Sequence, residues 1–179
     1  MAFIVENGTN VPNANSYVDV EYSKEYFGNK GVSTWSAFTD EEIQQRLVIA
    51  TQYVDTIYYS RFKGFIAYKD QSLLFPRDIY YTEIVGEKFY LMPSLLLKAT
   101  CEYALNIDSE TMSLTTVFDT SDTGGEVKRK KEVVGAIETE TEYFSSSSNA
   151  KTELSSYVLA DNIIKPLLKQ SNALRCIRN

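Results

Sequence analysis

The chain has 179 residues, a formal net charge of −6 and a sequence pI of about 4.8, which fit a single acidic domain. This acidity argues against a general nucleic-acid binder, whose affinity comes from cations that neutralise phosphates. The absence of histidine excludes a histidine base, a Ser-His or Cys-His nucleophile pair and a His-ligated metal. We therefore expect no enzyme, no metal site and no cofactor.

The N-terminal region predicts a short strand, a loop and a first helix. Residues 2–5 are apolar, and residues 6–16 are rich in Asn, Gly and Pro, which is typical of a loop. A helix is predicted over residues 17–27, with Asp19 as its N-cap and with Gly28 and Gly31 ending it.

The segment from Thr39 to Tyr59 carries the most complete helix signal of the chain. Thr39 and Glu42 have the spacing of a capping box, in which each side chain accepts from the backbone N–H of the other residue. Apolar residues then recur at helical spacing, with glutamines on the opposite face. We expect this amphipathic helix to be the centre around which the core packs.

A second buried helix is predicted over residues 93–107, after an irregular connection. Its sequence is apolar nearly all round, and Pro93 suits the first helical position. Within the connection, residues 78–92 predict a short hairpin that turns near Val85-Gly86. Cys101 lies inside the apolar helix and is expected to be a core thiol, while a disulfide with Cys176 stays open.

Residues 127–144 predict a β-hairpin with a basic strand beside an acidic one. The second strand alternates strictly, and the two sets of charges would face each other across the ladder. The basic residues could form a phosphate-binding patch, or they could pair with the glutamates, and the adjacent acidic strand favours pairing. The charged residues are Lys128, Arg129, Lys130, Lys131, Glu138, Glu140 and Glu142.

The C-terminal region predicts one more helix and a tail. Residues 152–170 show helical periodicity, and Pro166 must kink this helix or begin a new turn. The tail at 171–179 mixes apolar and basic residues, which suits a segment that becomes ordered in a partner's groove. Its candidate docking residues are Leu174, Arg175, Ile177 and Arg178.

The order of these features resembles a family of small head-to-tail connector proteins of tailed bacteriophages. They are also called head completion or adaptor proteins, and many are labelled DnaT-like single-stranded-DNA-binding proteins. Four passages carry the resemblance and together span most of the chain: IVENGTNVPNANSYVDVEYSKEYFGNKG; TW with the capped helix ending ATQYVDTIYY; QSLLFPR with the Pro93 helix; and VKRKKEVVGAIETETEYF before IIKPLL.

The resemblance implies a mainly α fold, a small helical bundle with a protruding β-hairpin and extended N- and C-terminal arms. Its single adaptor domain would comprise a helical core at about 17–107 and 152–170, a loop and hairpin at 108–150 and the tail at 171–179. Family members form rings of about twelve copies under the portal. The hairpin would contact neighbouring copies or line the lumen, and the tail would dock to the portal.

The resemblance also implies the protein's partners and location. They are the portal protein, copies of the chain itself, the next tail or connector protein, and genome DNA that passes without specific binding. The location would be the virion, after synthesis in the bacterial host cytoplasm, and the N-terminus shows no signal-peptide pattern. The alternative function is single-stranded-DNA binding of the DnaT-like type, in which aromatic residues and the basic strand form a stacking groove.

Overall fold

A computed structural model describes residues 2–109, 111–114 and 157–169, together with the backbone of two strands at 127–133 and 138–143. The chain forms two compact units, one of residues 1–115 and 157–179 and the other of residues 116–156. The first unit contains a small helical bundle and the second contains a β-hairpin. The mainly helical fold with a hairpin is therefore confirmed.

Helix α1 (Val20–Lys30) has the predicted N-cap, Asp19, and both of its ends lie three residues later than in the predicted range of 17–27. Its N-cap Asp19 accepts from the backbone N–H of Tyr22 at 2.6 Å. Of the two glycines predicted to end the helix, Gly31 does so: its φ of 73° is the left-handed conformation of a C-cap, whereas the helix passes through Gly28. A glycine inside a helix costs only about 1 kcal/mol, so Gly28 does not by itself end it.

Helix α2 (Asp40–Tyr58) confirms the predicted central helix and its capping box. The Glu42 carboxylate accepts from the Thr39 backbone N–H at 2.7 Å, and the Thr39 hydroxyl accepts from the Glu42 N–H at 3.3 Å. Its buried apolar face then packs against helix α3 (Ser94–Leu105), which begins one residue later than predicted because Pro93 is its N-cap. The buried residues of α2 include Ile43, Leu47, Ala50 and Val54.

Helix α4 (Val158–Ile164) is followed by a 3-10 turn over Lys165–Leu167 that contains Pro166. This fits the prediction that Pro166 begins a new turn, because proline has no N–H to continue the helical ladder. The predicted start of the helix, at 152–156, lies outside the described residues.

The core of the first unit is rich in aromatic rings. Cys101 is fully buried within it, as predicted, and burial raises the pKa of its thiol well above the ordinary value. Cys176 lies outside the described residues. The core has contributions from all four described helices and from the segments between them: Phe27, Trp35, Leu47, Phe62, Phe75, Leu96, Tyr103 and Ile164.

The predicted short hairpin at 78–92 is confirmed as strands β1 (Tyr81–Ile84) and β2 (Glu87–Tyr90). Both turn residues have positive φ, 53° at Val85 and 82° at Gly86, which is the pattern of a type I′ turn. Seven of its eight strand residues are exposed, so both faces of the ribbon meet solvent.

The predicted charged hairpin is confirmed at the level of its backbone, as strands β3 (Val127–Val133) and β4 (Glu138–Tyr143). Arg129 pairs with Glu142 and Lys131 pairs with Glu140 across the antiparallel ladder. The register shifts between Val127 and Arg129, as at a β-bulge. The predicted turn at 135–136 lies outside the described residues.

Candidate interaction surfaces

The structure describes some of the site residues predicted from the sequence, those in the β3–β4 hairpin, and not those in the tail. The four tail residues Leu174, Arg175, Ile177 and Arg178 lie outside the described residues. In the β3–β4 ladder, two basic residues stand opposite glutamates, whereas Lys130 stands opposite Thr141 and Glu138 opposite Val133. This register is compatible with charge pairing, and the roles assigned to Lys128, Arg129, Lys130, Lys131, Glu138, Glu140 and Glu142 stay predictions.

The β1–β2 hairpin exposes several large apolar side chains. Val85 at its tip is 100% exposed, Ile84 54% and Phe89 47%. At its base, Leu91 is half exposed as well. Apolar side chains on a small ribbon without a core are typical of a surface that binds another protein. The sequence signal was an apolar β-branched residue before glycine, where a hairpin turn usually has Asn or Asp.

A groove of about 800 Å³ runs along the C-terminal half of α2. Its rim includes Tyr59, which is 71% exposed, and Ile66, which is 45% exposed. Leu73 and Leu74 contribute an apolar wall from the connection after α2. The sequence could not reveal this groove, because its walls come from segments that are far apart in the chain.

Asp55 lies at the groove with its carboxylate largely buried. One carboxylate oxygen accepts from the Tyr17 hydroxyl, and the other accepts from the backbone N–H of Leu74 at 3.1 Å. Burial raises the pKa of Asp55 to about 6, although both hydrogen bonds and the charge of Arg77 oppose the rise. The carboxylate thus joins the N-terminal segment, α2 and the groove wall.

Replacing Asp55 with asparagine should make the free energy of unfolding less dependent on pH. The folded-state pKa of about 6 exceeds the ordinary 3.8, so between these values the folded protein binds more protons than the unfolded chain. Stability contributed by this group is therefore greatest at low pH and falls by about 2–3 kcal/mol as pH rises through 6. Urea unfolding of both proteins at pH 4.5 and 7.5 measures the difference, and parallel pH profiles would contradict the assignment.

A basic surface lies where the segment after α2 meets the 3-10 turn. We define it as Arg61, Lys63, Lys165 and Lys169. Lys63 donates through Nζ to the Pro166 carbonyl at 2.8 Å, and the Lys169 backbone N–H donates to the Arg61 carbonyl at 2.7 Å. Among the described residues, none of the four belongs to an ion pair, since the two pairs found there involve Lys24 and Lys30.

Exposed aromatic rings lie beside this basic surface in the chain. Tyr59 precedes it and Phe65, which is 78% exposed, follows Lys63. Cations together with exposed rings can bind phosphates and stacked bases, or an acidic and apolar protein segment.

In the part of the chain that the structure describes, no group of three or more acidic or cysteine residues could hold a metal ion. None of the helices described there is long and apolar enough to cross a membrane.

Comparison with known proteins assigns a family to the whole chain. The family model described as "Putative DnaT-like ssDNA binding protein" matches residues 1–179. No curated protein and no solved structure gives a significant match. The family match covers the bundle, the groove, the basic surface and both hairpins. The chain therefore belongs to the DnaT-like family.

Proposed function

We propose that the protein is a structural head-to-tail adaptor of a tailed phage, which forms a ring under the portal and extends the DNA channel to the tail. The observation that carries this proposal is the β1–β2 hairpin, whose apolar tip is exposed in the isolated chain. Val85 is fully exposed and Ile84 next to it about half exposed, and exposed apolar residues that cluster in this way are typical of a surface that a subunit buries in an assembly. The resemblance to phage connectors, many of which carry the DnaT-like label, points in the same direction.

The overall charge also supports an adaptor. With 18 basic and 24 acidic residues, the chain has a net charge of −6. A ring of such subunits repels DNA on average, and this repulsion lets a genome slide through without being held. In this proposal the protein is not an enzyme, needs no cofactor and resides in the virion. Its partners are the portal, the next tail component and further copies of itself.

The tail at 171–179 provides the test of portal docking. Deleting these nine residues should abolish co-sedimentation with purified portal rings, because Leu174 and Ile177 would supply the apolar contacts and Arg175 and Arg178 the charged ones. The unfolding transition of the truncated chain should stay close to that of the full chain. A full-length chain that stays monomeric and does not bind portal rings would refute the adaptor proposal.

A second candidate function is single-stranded-DNA binding. The description of the matching family favours it directly. The exposed rings of Tyr59 and Phe65 beside the basic surface also suit a binding mode in which bases stack and cations track the backbone. Each stacked base contributes about 1–3 kcal/mol by alanine substitution.

A gel-shift titration of the full-length chain with an oligonucleotide tests this candidate. Binding should weaken steeply with salt, and Phe65→Ala should weaken it by about tenfold or more. Phe89→Ala is the matched control, because Phe89 is an exposed aromatic residue on the β1–β2 hairpin. An absence of binding at low salt, or equal losses in both variants, would reject the basic surface as a DNA site.

A further inference from the structure

We infer that, in the unbound chain, the tail at 171–179 folds back into the groove along α2 of the same chain. The position of the groove, the reach of the tail and the chemistry of both point to this occupant. The inference goes beyond the proposed function, because it concerns the chain before any partner binds. One segment cannot fill the groove and a partner's surface at once, so docking to a portal would require its release.

The described part of the C-terminal region ends at Lys169, close to the groove rim. The Lys169 backbone N–H donates to the Arg61 carbonyl at 2.7 Å, and its Nζ donates to the Ser60 carbonyl at 3.1 Å. Ser60 directly follows Tyr59, whose exposed side chain lines the groove. The chain therefore continues into its tail from a point beside the rim.

The tail is long enough to follow the groove. The groove extends along α2 from Val48 to Tyr59, a distance of about 16 Å along the helix axis. An extended chain spans about 3.3 Å per residue, so Leu174, five positions after Lys169, can reach about as far. Ile177 lies three positions further on. Both of these apolar side chains can thus reach any part of the groove.

The groove offers apolar surface to the tail. Leu73 and Leu74 form its wall, and Ile66 is exposed at its rim. Covering these side chains with Leu174 and Ile177 would remove apolar surface from water on both sides of the contact. Exposed apolar residues that line a groove together are typical of a binding surface.

The charges of the groove and the tail are opposite. Among the described residues that line the groove, Asp55 has the one charged side chain. Its pKa, which burial raises to about 6, leaves it mostly ionised at neutral pH. The guanidinium of Arg77 donates to backbone carbonyls, and neither ion pair found among the described residues includes Asp55. The tail carries Arg175 and Arg178 and no acidic side chain, so its charge complements this carboxylate.

The tether favours the chain's own tail over the tail of a second copy. A segment joined to its binding site by a short linker has an effective concentration in the millimolar range. Protein in solution experiments is at micromolar concentrations, so a second copy competes poorly. The contact also avoids the loss of translational and rotational freedom that two separate molecules would incur.

Disulfide cross-linking of the full-length chain tests the position of the tail. Thr56→Cys places a thiol on the exposed, groove-lining side of α2, and Cys176 supplies the tail thiol. Asn162→Cys is the matched control, because Asn162 is exposed and close to Lys169 in the chain but does not line the groove. Cys101 is fully buried and should not react. With diamide as oxidant, the disulfide from position 56 should form about tenfold faster than that from position 162.

Peptide mapping and gel mobility distinguish the outcomes of cross-linking. An intramolecular disulfide whose rate does not depend on protein concentration is the expected product. Equal rates at the two positions would overturn the inference, since an undocked tail collides with both. A disulfide-linked dimer as the main product would also overturn it, because the groove would then hold the tail of another copy.

Trypsin provides a second test on chains whose tail is unchanged. Cleavage after Arg175 requires a tail outside the groove, so its rate follows the undocked fraction when docking is fast. Ile66→Ser weakens the rim and should speed this cleavage by about fivefold or more. Ile79→Ser is the matched control, because both isoleucines are 45% exposed and Ile79 does not line the groove.

Mass spectrometry of the peptides released at early times measures this cleavage. Equal rates in the two isoleucine variants would contradict the inferred contact. Neither the cross-linking nor the proteolysis uses portal rings, so the loss of this inference would leave the adaptor proposal standing. Failure of the full-length chain to bind portal rings would in turn leave the contact between tail and groove intact.

Discussion

Replacing Arg46 with leucine is expected to lower the free energy of unfolding by about 3 kcal/mol, the largest effect that we predict for a single polar residue. Arg46 lies on α2 and is 2% exposed. Its guanidinium donates to the Ile107 carbonyl and to the Ser109 hydroxyl, the latter at 2.6 Å. The guanidinium carbon (Cζ) of Arg46 also lies 4.0 Å from the ring centroid of Phe38, which is a cation–π contact. The side chain thus satisfies one backbone carbonyl and one hydroxyl just beyond the end of α3.

Leucine fills a similar space but leaves the buried Ile107 carbonyl without this donor, whereas the exposed Ser109 hydroxyl can bind water. An unsatisfied buried group costs about 1–3 kcal/mol, and the cation–π contact is lost as well. Urea unfolding followed by circular dichroism measures the loss. Lys24→Ala is the control, because its ion pair with Asp40 is exposed and should contribute less than about 1 kcal/mol. Equal effects of the two substitutions would contradict the role assigned to Arg46.

Replacing Asp161 with alanine is expected to cost about 2–3 kcal/mol and to loosen α4 from the bundle. Asp161 accepts from the hydroxyls of Tyr58 on α2 and Tyr103 on α3, the first at 2.9 Å. Burial, as the largest cause, raises the pKa of Tyr58 to about 12 and that of Tyr103 further. Both hydroxyls therefore keep their protons at neutral pH and act as donors to the carboxylate.

Hydrogen exchange distinguishes local loosening from global loss of stability. Amide protection over residues 158–168 should fall more than protection in α2 when Asp161 is changed to alanine, because α4 is joined to the bundle by this carboxylate. Asp161→Asn keeps one acceptor oxygen and should lose less, and Asn162→Ala on the exposed side should lose little. Uniform loss of protection across α2 and α4 would show that Asp161 supports the whole core rather than the docking of one helix.

The elements that were predicted correctly have local signals. The Thr39 capping box, the Asp19 cap and the alternation of β4 each depend on residues within a few positions of one another. Propensity, capping and periodicity act at that range, so they can be read without the fold. Both Gly28 and Gly31 were predicted to end α1, and the C-cap conformation of Gly31 decided the boundary because a glycine inside a helix, as at position 28, is tolerated.

The sequence by itself determined that this protein is an acidic, mainly helical chain without histidine chemistry, and it placed the β1–β2 turn at Val85-Gly86. Only the tertiary structure decided which residues share a surface. It brought Asp55 to Leu74 and Lys169 to Arg61, pairs that are separated by 19 and 108 positions in the chain. Which side chains are buried, and which distant residues meet, depends on the packing of the whole bundle. No local sequence pattern encodes these contacts.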